Sequence, residues 1–208
     1  MSSILPGMNN SYTQYPLQEI FGAPSHIAIL RVLNQLVAGV SGRELARRAS
    51  INSRTCRLAL NRLEQLNIIE NLGSGKTKAF ILNRKNYFAN SLITPIFLIE
   101  NEYLNTVIKK CQTFFDKNCI WACIYGSVAK NMDTKNSDLD ILVIIASKKD
   151  DDLIQNKMVE FSSNILAEFG LSISPIIINL KQWNDDKKYQ ALKTNIYKDH
   201  IHLTGKRI

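Results

Sequence analysis

Histidine is nearly absent from this 208-residue chain: the three present, at 26, 200 and 202, are scattered without a convincing ligand spacing. The four cysteines, Cys56, Cys111, Cys119 and Cys123, form no Cys-x-x-Cys pair, which argues against zinc and for reduced, buried thiols. The longest apolar runs, near Ile141 to Ala146 and Ile176 to Ile178, are far too short to cross a bilayer. The first sixteen residues lack the basic-then-apolar pattern of a secretory signal. Together these absences predict a soluble, cytoplasmic protein with no membrane partner.

Acidic residues are scarce in one part of the chain only. Residues 1–92 hold 4 acids against 11 Lys/Arg, a balance of +7, whereas the remainder holds 14 against 15, or +1. A basic excess confined to one segment predicts contact with nucleic acid or another anionic surface. The length and the 45% apolar content allow one sizeable core or two small ones.

Glycine is also sparse, which draws attention to Gly73-Ser74-Gly75-Lys76-Thr77. The five residues resemble the end of a nucleotide-binding P-loop, but that loop needs a further glycine where this chain has Glu70, a carboxylate that would repel phosphate. A short apolar run, Ala79 to Leu82, follows in place of a long helix. The segment reads instead as a hairpin, with 68–72 and 78–82 as its arms.

What precedes the hairpin gives it a role. Ile27, Leu30, Leu33 and Val37 have helical spacing within Pro24 to Val37. A second helix opens at Ser41-Gly42-Arg43-Glu44, a Ser-x-x-Glu capping pattern. A third, from Ser53 to Leu66, turns Cys56, Leu60 and Leu63 inward and Arg54, Arg57 and Asn61 outward. Over about 70 residues this layout resembles the winged helix-turn-helix domains of bacterial regulators. The resemblance implies a domain at 17–90 that binds duplex DNA through Arg54, Arg57 and Asn61 on the recognition helix and Lys76 and Lys78 on the wing.

Chemistry concentrates further on. After a helix expected from Pro95 to Lys117, an apolar strand runs into Gly126-Ser127, and a second strand begins at Asp138-Leu139-Asp140. Side chains two apart on a strand share a face, so Asp138 and Asp140 can converge on one hard cation such as Mg²⁺. Gly126 permits close approach of a phosphate to the backbone, and Ser127 offers an N–H and a hydroxyl.

The run GSVAKNMDTKNSDLDILVI resembles the signature of the minimal nucleotidyltransferases of the polymerase β-like superfamily. That resemblance implies an α+β protein: a winged helix-turn-helix followed by a small α/β nucleotidyltransferase domain with a mixed sheet, at 95–208. It implies that Gly126, Ser127 and Lys130 bind a nucleoside triphosphate, ATP above all. Asp138 and Asp140 would be both the Mg²⁺ ligands and the catalytic pair. Family members of this kind often act as antitoxins that modify a HEPN-type ribonuclease toxin, which would make a protein the acceptor.

The chain departs from the family at three points. Lys130-Asn131 stands where Arg-Gly is usual. No carboxylate occurs in Leu171 to Asn179, where a third is expected, and Ser172 or Ser174 should face the site instead. No downstream residue declares itself as a base. The alternative is therefore a transcriptional regulator whose transferase domain serves as a nucleotide sensor or homodimerisation module. The triplet Asp150-Asp151-Asp152 reads as charge at the start of a helix.

Overall fold

A computed structural model describes residues 11–73, 78–147, 151–185 and 187–206. The chain divides into two compact units, one ending at Asn101 and the other beginning at Glu102.

In the first unit a single helical turn, α1 (Leu17–Ile20), precedes α2 (Pro24–Asn34), α3 (Gly42–Arg48) and α4 (Ser53–Gln65). Cys56, Ala59, Leu60 and Leu63 recur at one face of α4 and are all buried. They share one core with Ile29, Leu30 and Leu33 of α2 and with Leu45 and Ala46 of α3. Asn52 Oδ1 caps α4 by accepting from the Thr55 N–H at 2.8 Å, and Ser41 Oγ caps α3 by accepting from the Glu44 N–H at 3.3 Å.

The other half of the expected capping box is replaced. The Glu44 carboxylate turns to the guanidinium groups of Arg47 and Arg48, at 2.6 and 2.7 Å, because charged donors bind it more strongly than a neutral backbone N–H. These two hydrogen bonds, Arg47's first, hold the Glu44 carboxyl down to about 2. Helix α2 also ends earlier than its apolar pattern suggests, leaving Val37 86% exposed.

The hairpin forms as expected. Strands β1 (Ile69–Asn71) and β2 (Phe80–Leu82) pair antiparallel with Ile69 opposite Leu82. Val40 and Phe80 exchange backbone hydrogen bonds of 3.0 and 2.8 Å, an isolated antiparallel bridge that ties the segment before α3 to β2. Asn71 Oδ1 accepts from the Gly73 and Ala79 N–H groups at 3.1 and 3.2 Å and so ties the two arms together. This is a winged helix-turn-helix; the wing's turn, 74–77, which includes Lys76, lies outside the described residues.

A π-helical turn at Ala89–Ile93 leads into α5 (Thr94–Phe115). The second unit then follows as β3 (Trp121–Tyr125), α6 (Gly126–Ala129), β4 (Leu139–Ile145), α7 (Asp151–Phe169), β5 (Ile173–Asn179), α8 (Leu180–Asp185), α9 (Gln190–Lys198) and β6 (Ile201–Gly205). Its sheet has the order β5-β4-β3-β6 and is mixed: β4 runs parallel to β5, and β3 is antiparallel to both β4 and β6.

Strand β4 is apolar on both faces because both are covered. Leu139, Ile141, Val143 and Ile145 join a core with Val107, Cys111 and Phe115 of α5 and with Ile154 and Met158 of α7. Leu142 and Ile144 join another with Trp183 of α8 and Ile196 of α9. Strand alternation puts Asp140 on the face of Leu142, at the end where β4 begins.

The sequence does not announce α8 by periodicity, but it carries a capping signal, Asn179-Leu180-Lys181-Gln182. Asn179 Oδ1 accepts from the Gln182 N–H at 2.9 Å, and Gln182 Oε1 accepts in return from the Asn179 backbone N–H at 3.4 Å and from its side-chain amide at 2.7 Å.

The burial pattern of α4 makes a direct test. Leu63→Ala removes a fully buried side chain and should cost about 2–5 kcal/mol. Leu58→Ala, five residues away but 59% exposed, should stay within about 0.5 kcal/mol of the parent. Urea unfolding of the two full-length variants measures both.

Candidate functional site

The site is built where three strands of the second unit meet. Tyr125, the last residue of β3, lies directly opposite Asp140 in the antiparallel pair, and Asp140 lies beside Ser174 in the parallel one. The chain then leaves β3 through Gly126, whose φ of +77° is in the left-handed region. A Cβ at this position would stand 2.2 Å from Asp140 Oδ2, so glycine is required by contact as well as by conformation.

Asp140 is half-buried, and Asp138, just before the strand, is exposed. Burial raises the Asp140 carboxyl above its ordinary value, the neighbouring Asp138 charge raises it further, and a hydrogen bond from the Ser174 hydroxyl partly offsets both. The Tyr125 hydroxyl is pushed up to about 12, first by burial and then by the charge of Asp140. Two carboxylates thus sit close enough to repel each other, a strain that a bound cation would relieve.

The link from Ser127 to Asp138 is held by its own short bonds. The Ser127 carbonyl accepts from the Lys130 N–H at 3.2 Å and the Met132 N–H at 2.9 Å. Asn131 sits between them at φ +53°, where asparagine is one of the few side chains tolerated. Downstream, Ser137 Oγ accepts from the Thr134 N–H at 2.9 Å, closing the turn that delivers Asp138 to the start of β4.

These observations place the sequence-derived residues as follows. Gly126 and Asp140 are in contact distance, Asp138 is near enough to Asp140 to perturb it, and Ser127 follows Gly126 in α6. Lys130 is exposed at the C-terminal end of α6. Of the two serines expected to replace a third acid, Ser174 bonds Asp140, while Ser172 is exposed and its carbonyl accepts from the Leu139 N–H at 2.8 Å. Among the described residues no cluster of three His, Cys, Asp or Glu side chains could hold a metal ion. Asp150 and the side chains of Asp151 and Asp152 lie outside the described residues.

Residues 106–200 match the family model for "Polymerase beta, Nucleotidyltransferase". The second unit carries a polymerase β-type nucleotidyltransferase domain. No curated protein matches the sequence.

Among solved structures, the chain is similar to a predicted DNA-binding transcriptional regulator from E. coli, at 18% identity and a TM-score of 0.37 over 42% of this chain and 88% of that one. It is also similar to a toxin-antitoxin structure with AMP-PNP, at 16% identity and a TM-score of 0.35 over 48% and 74% of the two chains. A transcriptional regulator matches at 17% identity and a TM-score of 0.37, over 74% and 86%.

Within this nucleotidyltransferase domain, the family's usual glycine after the basic residue is Asn131. Its positive φ shows that the exchange keeps the backbone conformation a glycine would supply. The sequence signal for that was the residue type itself.

In the winged unit, Arg54, Arg57, Asn61 and Lys78 are all exposed. Arg57, Asn61 and Lys78 line one concavity, and Arg54 lies on the adjoining surface with Arg57 and Leu58. Among the described residues no helix is long and apolar enough to cross a membrane.

The contact at Gly126 predicts the outcome of Gly126→Ala. Strained φ and the collision with Asp140 should together destabilise the folded state by about 1–3 kcal/mol, read as a lowered midpoint in denaturant unfolding. An alanine tolerated without loss would contradict the close approach.

Proposed function

We propose that the protein is a DNA-targeted nucleotidyltransferase that moves a nucleotide, AMP from ATP, to an acceptor hydroxyl on another protein. The observation that carries this is the convergence of Gly126, Asp138 and Asp140 at one end of the sheet, inside a domain that matches the polymerase β nucleotidyltransferases.

The donor set fits Mg²⁺: two carboxylates within electrostatic reach of each other offer the hard oxygen ligands this ion prefers. Bound by Asp138 and Asp140, Mg²⁺ would supply positive charge to the triphosphate oxygens. The chain's own part is binding and orientation. Gly126 lets the backbone pass against the Asp140 carboxylate, and the Ser127 hydroxyl and N–H that follow it can donate to a phosphate. Lys130 adds a cation.

In the transfer, the acceptor oxygen forms a bond to the α-phosphorus and the bond from that phosphorus to the bridging oxygen breaks. Pyrophosphate leaves, and the hydroxyl proton passes to solvent. A HEPN-type ribonuclease toxin is the acceptor that the family resemblance suggests, with this chain as its antitoxin. The +7 charge of residues 1–92 and the exposed Arg54, Arg57 and Asn61 support duplex DNA as the first unit's partner.

One observation favours a second reading, in which the domain binds nucleotide and signals its presence to the winged unit. Ser174 occupies the place beside Asp140 where a third acid would help activate the attacking group. Its absence should hurt transfer more than it hurts binding.

Two experiments separate these readings. In titrations of the full-length protein with ATP and Mg²⁺, Asp138→Ala or Ser127→Ala should weaken binding at least tenfold, about 1.4 kcal/mol, while Lys76→Ala leaves it unchanged. Loss of binding on Lys76→Ala alone would return the nucleotide to the glycine-rich wing.

The second measures turnover with labelled ATP and a HEPN-type ribonuclease as the candidate acceptor. Transfer by the parent should be slow, and Ser174→Asp should raise it by tenfold or more, within the range a positioned acid–base group contributes, about 10²–10⁴. Fast transfer by the parent, undiminished without any added acid, would show that a serine suffices and remove the support for a sensor.

A further inference from the structure

The arginines of the winged unit sort by what holds them. Arg31 is forked onto Glu100 at 2.6 and 2.7 Å, Arg47 and Arg48 share Glu44, and Arg62 is held by Glu19. Arg84 donates to the Asn34 carbonyl at 2.9 Å. Among the described residues no carboxylate pairs with Arg43, Arg54, Arg57 or Lys78.

Three of these four line the same open concavity, of about 740 Å³. Arg43 enters it from α3, Arg57 from α4 and Lys78 from the arm leading into β2; Asn61 adds an amide, and the buried Leu60 and Phe80 form its base. Arg43 is on the same short helix as Arg47 and Arg48, yet Glu44 takes those two and leaves Arg43 free. Like charges gathered without a counter-ion repel one another, and a bound anion would relieve that repulsion.

We propose that this concavity seats the phosphate backbone of one DNA strand, and that Arg43, which belongs to neither the recognition helix nor the wing, is its third cationic contact. The inference rests on the DNA-binding reading and adds to it a named residue and a division of labour: Arg43, Arg57 and Lys78 meet phosphate, and Arg47, Arg48 and Arg62 do not. An extended polyanion suits the site better than a free nucleotide because the unpaired charge continues past the concavity. Arg54 lies on the adjoining surface, which Arg57 also lines.

The test is the salt dependence of binding of the full-length protein to a fluorescent duplex of mixed sequence, followed by anisotropy between about 50 and 200 mM salt. Arg43→Ala should make the slope of log K against log salt shallower by about 0.9, the loss of one phosphate contact on duplex DNA, and Arg43→Lys should restore it. Arg47→Ala changes net charge by the same amount and should leave the slope as it is. Because Arg43 is exposed, its replacement leaves the core intact.

Equal effects of the Arg43 and Arg47 substitutions would mean that only the diffuse field matters, and would overturn the assignment. So would an unchanged slope for Arg43→Ala, whether or not that variant loses affinity for inorganic pyrophosphate, the sign of a small-anion site. A parent protein that binds no duplex at low salt would bring down the DNA-binding reading itself, an outcome distinct from the other two.

Discussion

The approach of the Gly126 backbone to the Asp140 carboxylate is the constraint on which the candidate site depends. It follows from the pairing of β3 with β4, which sets Tyr125 opposite Asp140 and leaves the next residue no room for a side chain. Strand β4 is covered on both faces for most of its length, so polar chemistry can be placed only at its exposed beginning. The same register brings Ser174 alongside Asp140 from β5. One pairing pattern therefore decides which groups can meet, and the apolar remainder of the strands keeps that pattern from slipping, since a shift by one residue would bury Asp140 among aliphatic side chains.

The winged unit is organised by a shortage of acid. Glu19, Glu44 and Glu100 are each spent on arginines, and Glu44 serves two at once. Exposed pairs of this kind add little stability. Their larger effect is to decide where positive charge remains uncompensated, and that is the face formed by α4, the start of α3 and the arm of the wing. The core beneath, built on the buried stripe of α4, holds these three elements in one arrangement without help from the charges.

Much of this was legible in the sequence, for identifiable reasons. Apolar spacing marks α4 because its pattern and its burial coincide, and Gly-Ser followed by Asp-x-Asp marks the candidate site because the pairing of β3 with β4 brings Gly126 against Asp140. Where spacing misled, a local interaction prevailed. The stripe of α2 runs on to Val37, but the helix stops at Asn34 and the valine is left in solvent. The Ser41 and Glu44 pattern gives one capping bond and not two, because arginines one turn on compete for the carboxylate. Choosing Ser174 over Ser172 required the register of β5 against β4, which no single strand contains. The charge sorting around Arg43 was illegible for a similar reason: it depends on which acids are taken, and that is settled in three dimensions.

Asn131 and Ser174 both replace residues usual in the family, and they are not equivalent changes. At 131 the requirement is conformational, and asparagine at φ +53° meets it. At 174 the requirement is charge. A serine hydroxyl can hydrogen-bond Asp140 and lower the penalty of its burial, yet it brings no negative charge of its own. With a serine there, Asp138 and Asp140 would be the two carboxylates left to hold the proposed cation, and more of its binding would depend on the nucleotide. Nucleotide binding and metal loading would then become one event. A domain of that design would hold its ion firmly only while nucleotide is present, which is the property a nucleotide-responsive partner for the winged unit would need, whether or not transfer follows.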